Sequence, residues 1–116
     1  MDYLKFINSL KIKKSKNIKF SSVKFFSKDK IYFNLYLNVL ENHYSTYPED
    51  NIEKIIISVS NEEVSRPTIF KVIELSLAKK YLIKEKHIDD KRKLTLKPST
   101  LMIKEFEEWA KLFKNL

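Results

Sequence analysis

Glycine and cysteine are both absent from this 116-residue chain, proline occurs three times and arginine twice. Without cysteine there is no disulfide framework, zinc–thiolate site or thiol redox switch. Without glycine there is no phosphate-cradling glycine loop and no dinucleotide fingerprint. Turns must then be built from Asn, Asp, Ser or Pro. The longest apolar runs fall far short of a membrane span. The first residues lack the apolar stretch and small-residue cleavage site of a secretory leader. The expectation is a cytoplasmic protein without membrane association.

Against these absences stand 43% hydrophobic residues, among them eight Phe and six Tyr, enough for a substantial core. At this length one domain over residues 1–116 is expected. Of 23 basic residues, all but Arg66 and Arg92 are lysine, and the formal net charge is +8. The excess of Lys, Ile, Asn and Phe is the bias of an AT-rich genome, so the total charge is discounted. Its distribution is more informative. Residues 1–30 carry nine lysines against Asp2 and Asp29, whereas residues 31–116 carry fourteen basic and thirteen acidic side chains. Within the latter, residues 79–97 hold eight basic residues against Glu85, Asp89 and Asp90. Two basic zones around a near-neutral body fit a polyanion-facing surface; a lysine-biased solvated surface is the plain alternative for residues 1–30.

Periodicity orders the chain. Residues 2–10 read as a short helix with Leu4, Ile7 and Leu10 on one side. Residues 11–19 form a basic arm. Ser27 is the expected cap of a helix over residues 28–43, although alternation at Ile31, Phe33, Leu35, Leu37 and Val39 also fits a strand. Pro48, Glu49 and Asp50 open a further helix whose apolar face is Ile52, Ile55, Ile56 and Val59; its β-branched run from Ile55 to Val59 also fits a strand, and helix is the preferred reading. Residues 61–64 are a connecting turn. Ser65 is an N-cap, and Pro67 is tolerable only in a first helical turn. The spacing then predicts a helix over 65–80, with Ile69, Ile73 and Leu77 inward and Pro67, Lys71, Glu74 and Ala78 outward. Phe70, at the edge of the inner side, is expected partly in the core. Residues 81–86 and 93–97 read as two strands joined by a turn containing Asp89 and Asp90. The last helix starts at Pro98-Ser-Thr100. Met102, Phe106, Trp109, Phe113 and Leu116 recur on it at spacings of four and three, which is the seam of a dimer interface or of packing within one domain. The glutamates at 105, 107 and 108 fall on its polar face.

The fold class expected is mainly α with a small β-hairpin wing: a winged helix-turn-helix core over residues 28–97, preceded by an N-terminal helix and basic arm over 1–27 and followed by a dimerisation helix over 98–116. Such a layout suits double-stranded DNA. A helix fits the major groove, and side chains near its N-terminus reach base edges. An adjacent basic hairpin reaches the backbone or a narrow minor groove, where arginine is favoured. Each of the two arginines falls at one of these places.

Ser65-Arg-Pro-Thr-Ile-Phe-Lys-Val-Ile73, and Asp90-Lys-Arg92 followed by Leu94-Thr-Leu96, resemble the recognition-helix opening and wing motif of the MarR family of bacterial transcription regulators. The resemblance covers about residues 28–103. The glycine usual after that helix is missing, and Tyr81 occupies the region. The resemblance implies a homodimer reading a pseudo-palindromic site, with Asp90 bracing the wing and Arg92 at its tip or neck. It also raises a small-molecule effector of unknown identity. In this reading Ser65, Arg66, Pro67, Thr68 and Lys71 on the helix, and Lys91, Arg92 and Lys93 on the wing, bind DNA. Arg66 is the base-reading candidate, and Pro67 and Phe70 are candidates for thymine methyl contacts.

An enzyme is the first rival. His43 and His87 are the only histidines and neither has a partner motif, so no catalytic residue, metal ligand or cofactor is assigned. The second rival is a winged-helix adaptor that binds protein or RNA. An exposed basic opening turn at Arg66, Thr68 and Lys71 favours DNA.

Overall fold

The computed structural model describes residues 3, 4, 7, 8, 20–45, 52–59, 64–86 and 94–112. Five helices and a two-stranded antiparallel hairpin follow one another: α1 (Ser21–Phe26), α2 (Lys30–Tyr44), α3 (Ile52–Val59), α4 (Arg66–Ala78), β1 (Leu82–Lys86), β2 (Leu94–Pro98) and α5 (Thr100–Lys111). Tyr3, Leu4, Ile7 and Asn8 are also helical, as their spacing requires. The arm over 11–19 and the residues from Pro48 to Asp50 lie outside the described residues. No helix among the described residues is long and apolar enough to cross a membrane.

The second helix starts two residues later than expected and with a different cap. Asp29, not Ser27, accepts from the Ile31 and Tyr32 backbone N–H groups at 2.9 and 3.1 Å. Ser27 instead closes α1, donating its N–H to the Val23 carbonyl. An aspartate at a helix start satisfies two orphan donors at once, and an acidic side chain there suits the positive end of the dipole. The strand alternative for this segment is excluded by its buried set. Leu35, Tyr36, Val39 and Leu40 recur with helical period, whereas Leu37 is 46% exposed. For the same reason α3 is helical despite its β-branched run. Ile55, Ile56 and Val59 turn to one side and are buried, and tertiary burial outweighs the small helix penalty of Ile and Val.

Helix α1 was not expected from the sequence. It has no side-chain cap of its own. Its first N–H groups are received by Glu105 of α5: Ser21 N and Ser22 N donate to the carboxylate at 3.0 Å each, and the Ser22 hydroxyl donates at 2.7 Å. The Ser21 hydroxyl adds a longer bond of 3.3 Å. Glu105 is therefore buried, not part of a solvated polar face. One carboxylate caps α1 and clamps it to α5. A short helix with so costly a nucleus is held by such tertiary contacts, not by propensity.

The core lies between these layers. Phe26 packs on Tyr36 with ring centroids 5.1 Å apart, and Phe25 meets Phe26 edge-on at 4.9 Å. Each such buried side chain contributes about 1.5–3 kcal/mol. Leu35, Ile56, Ile69, Leu82 and Leu96 close the same cluster from α2, α3, α4 and the hairpin. Met102 of α5 belongs to it and is fully enclosed. The expected seam on α5 is thus divided. Met102 faces this chain's own core, whereas Phe106 and Trp109 are half-buried, with Phe106 on Tyr36 at 6.1 Å and on Tyr44 at 5.9 Å. Phe113 and Leu116 lie outside the described residues.

Candidate functional site

Helix α4 has a buried side and an exposed side. Ile69, Val72, Ile73 and Ser76 face inward, and Leu77 is half-buried. Ser76 is accommodated because its hydroxyl donates back to the Val72 carbonyl at 2.7 Å. Arg66, Pro67, Thr68, Phe70, Lys71, Glu74 and Ala78 are exposed. Inward and outward sets follow the expected spacing, apart from Phe70, which is 41% exposed and outside the core. Positions 66 and 70, and 67 and 71, are successive-turn neighbours, so the opening of α4 presents one continuous mixed surface.

The opening turn is built as its sequence specifies. Ser65 is the N-cap, with extended backbone, and its hydroxyl accepts from Thr68 N at 3.4 Å. Pro67 sits in the first turn, where its missing N–H costs nothing. The Ser65 and Thr68 hydroxyls are 2.9 Å apart and share a hydrogen bond. Arg66 is held from two directions. Its Nη2 donates to Glu53 Oε1 at 2.6 Å, and its guanidinium carbon stands 5.9 Å from the Phe70 ring centre. Glu53 lies in the first turn of α3. The sequence reading missed it, because its value depends on the contact between α3 and α4. An acidic residue in a helix's first turn ordinarily serves the dipole.

The far end of α4 answers the missing glycine. Lys80, not Tyr81, takes the left-handed conformation, with φ of 63°. There the Lys79, Lys80 and Tyr81 N–H groups donate to the Leu75, Leu77 and Ser76 carbonyls. The chain then turns directly into the hairpin. Leu82 pairs with Pro98, Lys84 with Leu96 and Lys86 with Leu94. Leu82, Thr95 and Leu96 anchor the hairpin to the body, while Ile83, Lys84, Glu85 and Lys86 are exposed. Lys97 is ion-paired with Glu85 at 2.7 Å. The hairpin tip, with Asp90, Lys91, Arg92 and Lys93, lies outside the described residues.

On α2 the phenols of Tyr36 and Tyr44 are both held above the ordinary tyrosine range. Burial pushes the Tyr36 phenol up, and the charges of Glu105 and Tyr44 add to it. Tyr44 is pushed up to about 12, first by partial burial and then by the bond it donates to Glu107 Oε1 at 2.9 Å. Both phenols are neutral at physiological pH.

The arrangement has the parts of a winged helix-turn-helix: α3 and α4 as the two helices and β1–β2 as the wing. No family model and no curated protein matches the chain. Among solved structures, that of a mutant of S. aureus MepR aligns with a TM-score of 0.56 at 17% identity, covering 97% of this chain and 76% of that one. The chain thus shares the winged-helix fold of S. aureus MepR along nearly its whole length.

Proposed function

We propose that this protein is a sequence-specific, double-stranded DNA-binding transcriptional regulator of MarR type. The observation that carries the reading is the exposed opening of α4. The capped opening of the helix presents Ser65, Arg66, Pro67, Thr68 and, one turn on, Lys71 to solvent, while the other side of the helix is locked into the core. A recognition helix spanning about residues 65–80 enters the major groove, where arginine pairs with guanine and small apolar groups meet thymine methyls. The wing, about residues 82–97, lies on the adjacent backbone or minor groove and brings Lys91, Arg92 and Lys93 to it, with Asp90 bracing the turn. MepR, whose fold the chain shares, is itself a MarR-family regulator, and this supports the reading.

A homodimer completes the proposal, since two copies of one recognition helix read a pseudo-palindromic site. The terminal segments supply the interface. Tyr3, Leu4 and Ile7 are 72%, 69% and 47% exposed, which is a large apolar load to leave in water. Toward the C-terminus we assign the contribution to Phe106, Trp109, Phe113 and Leu116, because Met102 has no surface to offer.

The test is selection of bound duplexes from a randomised library. A palindromic consensus is expected. Arg66→Ala should weaken consensus binding by about 1–3 kcal/mol and relax the preference at one base position. Affinity should fall steeply with salt through counterion release. No enrichment, or an affinity insensitive to salt, refutes the reading.

A further inference from the structure

We infer that Glu53 is a positioning residue for Arg66, and that through it α3 takes part in setting base preference; this rests on the recognition role proposed for Arg66. The geometry has three parts. The Glu53 carboxylate takes Nη2 at 2.6 Å from the neighbouring helix. The Phe70 ring lies beneath the guanidinium at 5.9 Å from the next turn of α4. Both members of the ion pair are about half exposed, at 48% and 56%, so the pair sits at the surface that would meet DNA, not in the core.

An exposed pair of this kind adds little to folding stability. Its effect is on orientation. Arginine carries five N–H donors on one plane. Engaging one amino group from the side, with a ring below, restricts the plane and leaves donors on its other edges for a base. A flexible side chain would instead find the nearest phosphate, which carries no sequence information. Glu53 opposes that outcome a second way. Its negative charge near the phosphate backbone is unfavourable unless Arg66 remains beside it. The carboxylate thereby penalises the backbone-bound arrangement in which Arg66 swings away, and leaves the base-directed arrangement intact. Selectivity of this type comes from disfavouring the wrong state as well as favouring the right one.

The experiment compares the full chain with Glu53→Gln, Arg66→Ala and the double variant. Each is measured against the selected consensus duplex, its single-base variants and poly(dI-dC). Gln retains the size of the side chain without its charge, and thermal unfolding verifies that each variant folds. For Glu53→Gln we expect tighter non-specific binding by roughly 3–10-fold, and a salt slope steeper by about 0.9 as Arg66 gains a phosphate. Discrimination should drop by about 5-fold or more at the one base position that Arg66→Ala also relaxes. In the Arg66→Ala background, Glu53→Gln should leave base discrimination unchanged. An unaltered base profile in Glu53→Gln, while Arg66→Ala alters it, overturns the positioning role and spares the recognition reading. An unaltered profile in Arg66→Ala itself overturns both.

Discussion

Replacing Glu105 with alanine should destabilise the fold by about 3–5 kcal/mol, because it removes a buried charged acceptor from several donors at once. Two backbone N–H groups, of Ser21 and Ser22, donate to the carboxylate at 3.0 Å, and the Ser22 hydroxyl at 2.7 Å. Ser22 has no exposed surface, so water cannot replace its lost partner without opening the junction between α1 and α5. A hydrogen bond to a charged group contributes about 1.5–3 kcal/mol, and each buried donor left without a partner costs about 1–3 kcal/mol. Relaxation of the joint and non-additivity bring the sum down to the stated range. Glu105→Gln keeps one carbonyl oxygen but turns an amide N–H₂ toward other donors, and should cost about half as much. The control is Glu108→Ala on the exposed side of α5, expected within about 0.5 kcal/mol of the parent. The assay is urea unfolding with linear extrapolation, at unchanged slope. If Glu105→Ala unfolds at the same midpoint as Glu108→Ala, the clamp between α1 and α5 does not exist as described.

Two further predictions concern backbone strain and pH. Lys80 holds φ of 63° without glycine's freedom, which costs an L-residue about 1–2 kcal/mol. Lys80→Gly should therefore raise stability by about 0.5–1 kcal/mol after the extra backbone entropy of glycine is subtracted; a loss of stability in the same urea assay refutes the assignment. Tyr36 and Tyr44 both titrate above the ordinary tyrosine value of 10.0 in the folded chain. Their raised values mean that the unfolded chain loses these protons first as pH rises. The stability they contribute is fully present below about pH 10 and declines above it. Unfolding midpoints should fall across that alkaline range, and tyrosinate absorbance should show the phenols of Tyr36 and Tyr44 ionising above the ordinary tyrosine value. Tyr36→Phe should remove part of the dependence; an unchanged alkaline fall in that variant would count against the buried phenol.

The capped opening of α4 was legible because its signals are local. Ser65 followed by Pro67, and Ile69, Ile73 and Leu77 at helical spacing, need only the geometry of one helix to be understood. The same holds for the turn into α5, where Ser99 accepts from Met102 N at 3.2 Å, and for the hairpin, whose strands differ from the expected ones by one residue at each start and at the end of the second. The exposed faces of Arg66, Thr68 and Lys71 followed from the buried ones.

Other features depended on which elements meet. Helix α1 has no cap in its own sequence, and the carboxylate that serves it lies 83 residues away from Ser22. Glu105, Glu107 and Glu108 look alike on a polar face of α5. Only the docking of α1 and α2 gives one a buried junction, one the Tyr44 hydroxyl, and leaves the third exposed. Met102 and Phe106 belong to one apolar spacing, but the core encloses the first and only half-covers the second. Arg66 could be placed on a helix opening from its neighbours alone. That it is held by Glu53 required α3 to cross beside α4. Local periodicity and capping chemistry are written into consecutive residues, so the chain itself decides where helices begin and which side they bury. The partners of a long polar side chain are set by the packing of distant elements, and no one-dimensional pattern contains that information.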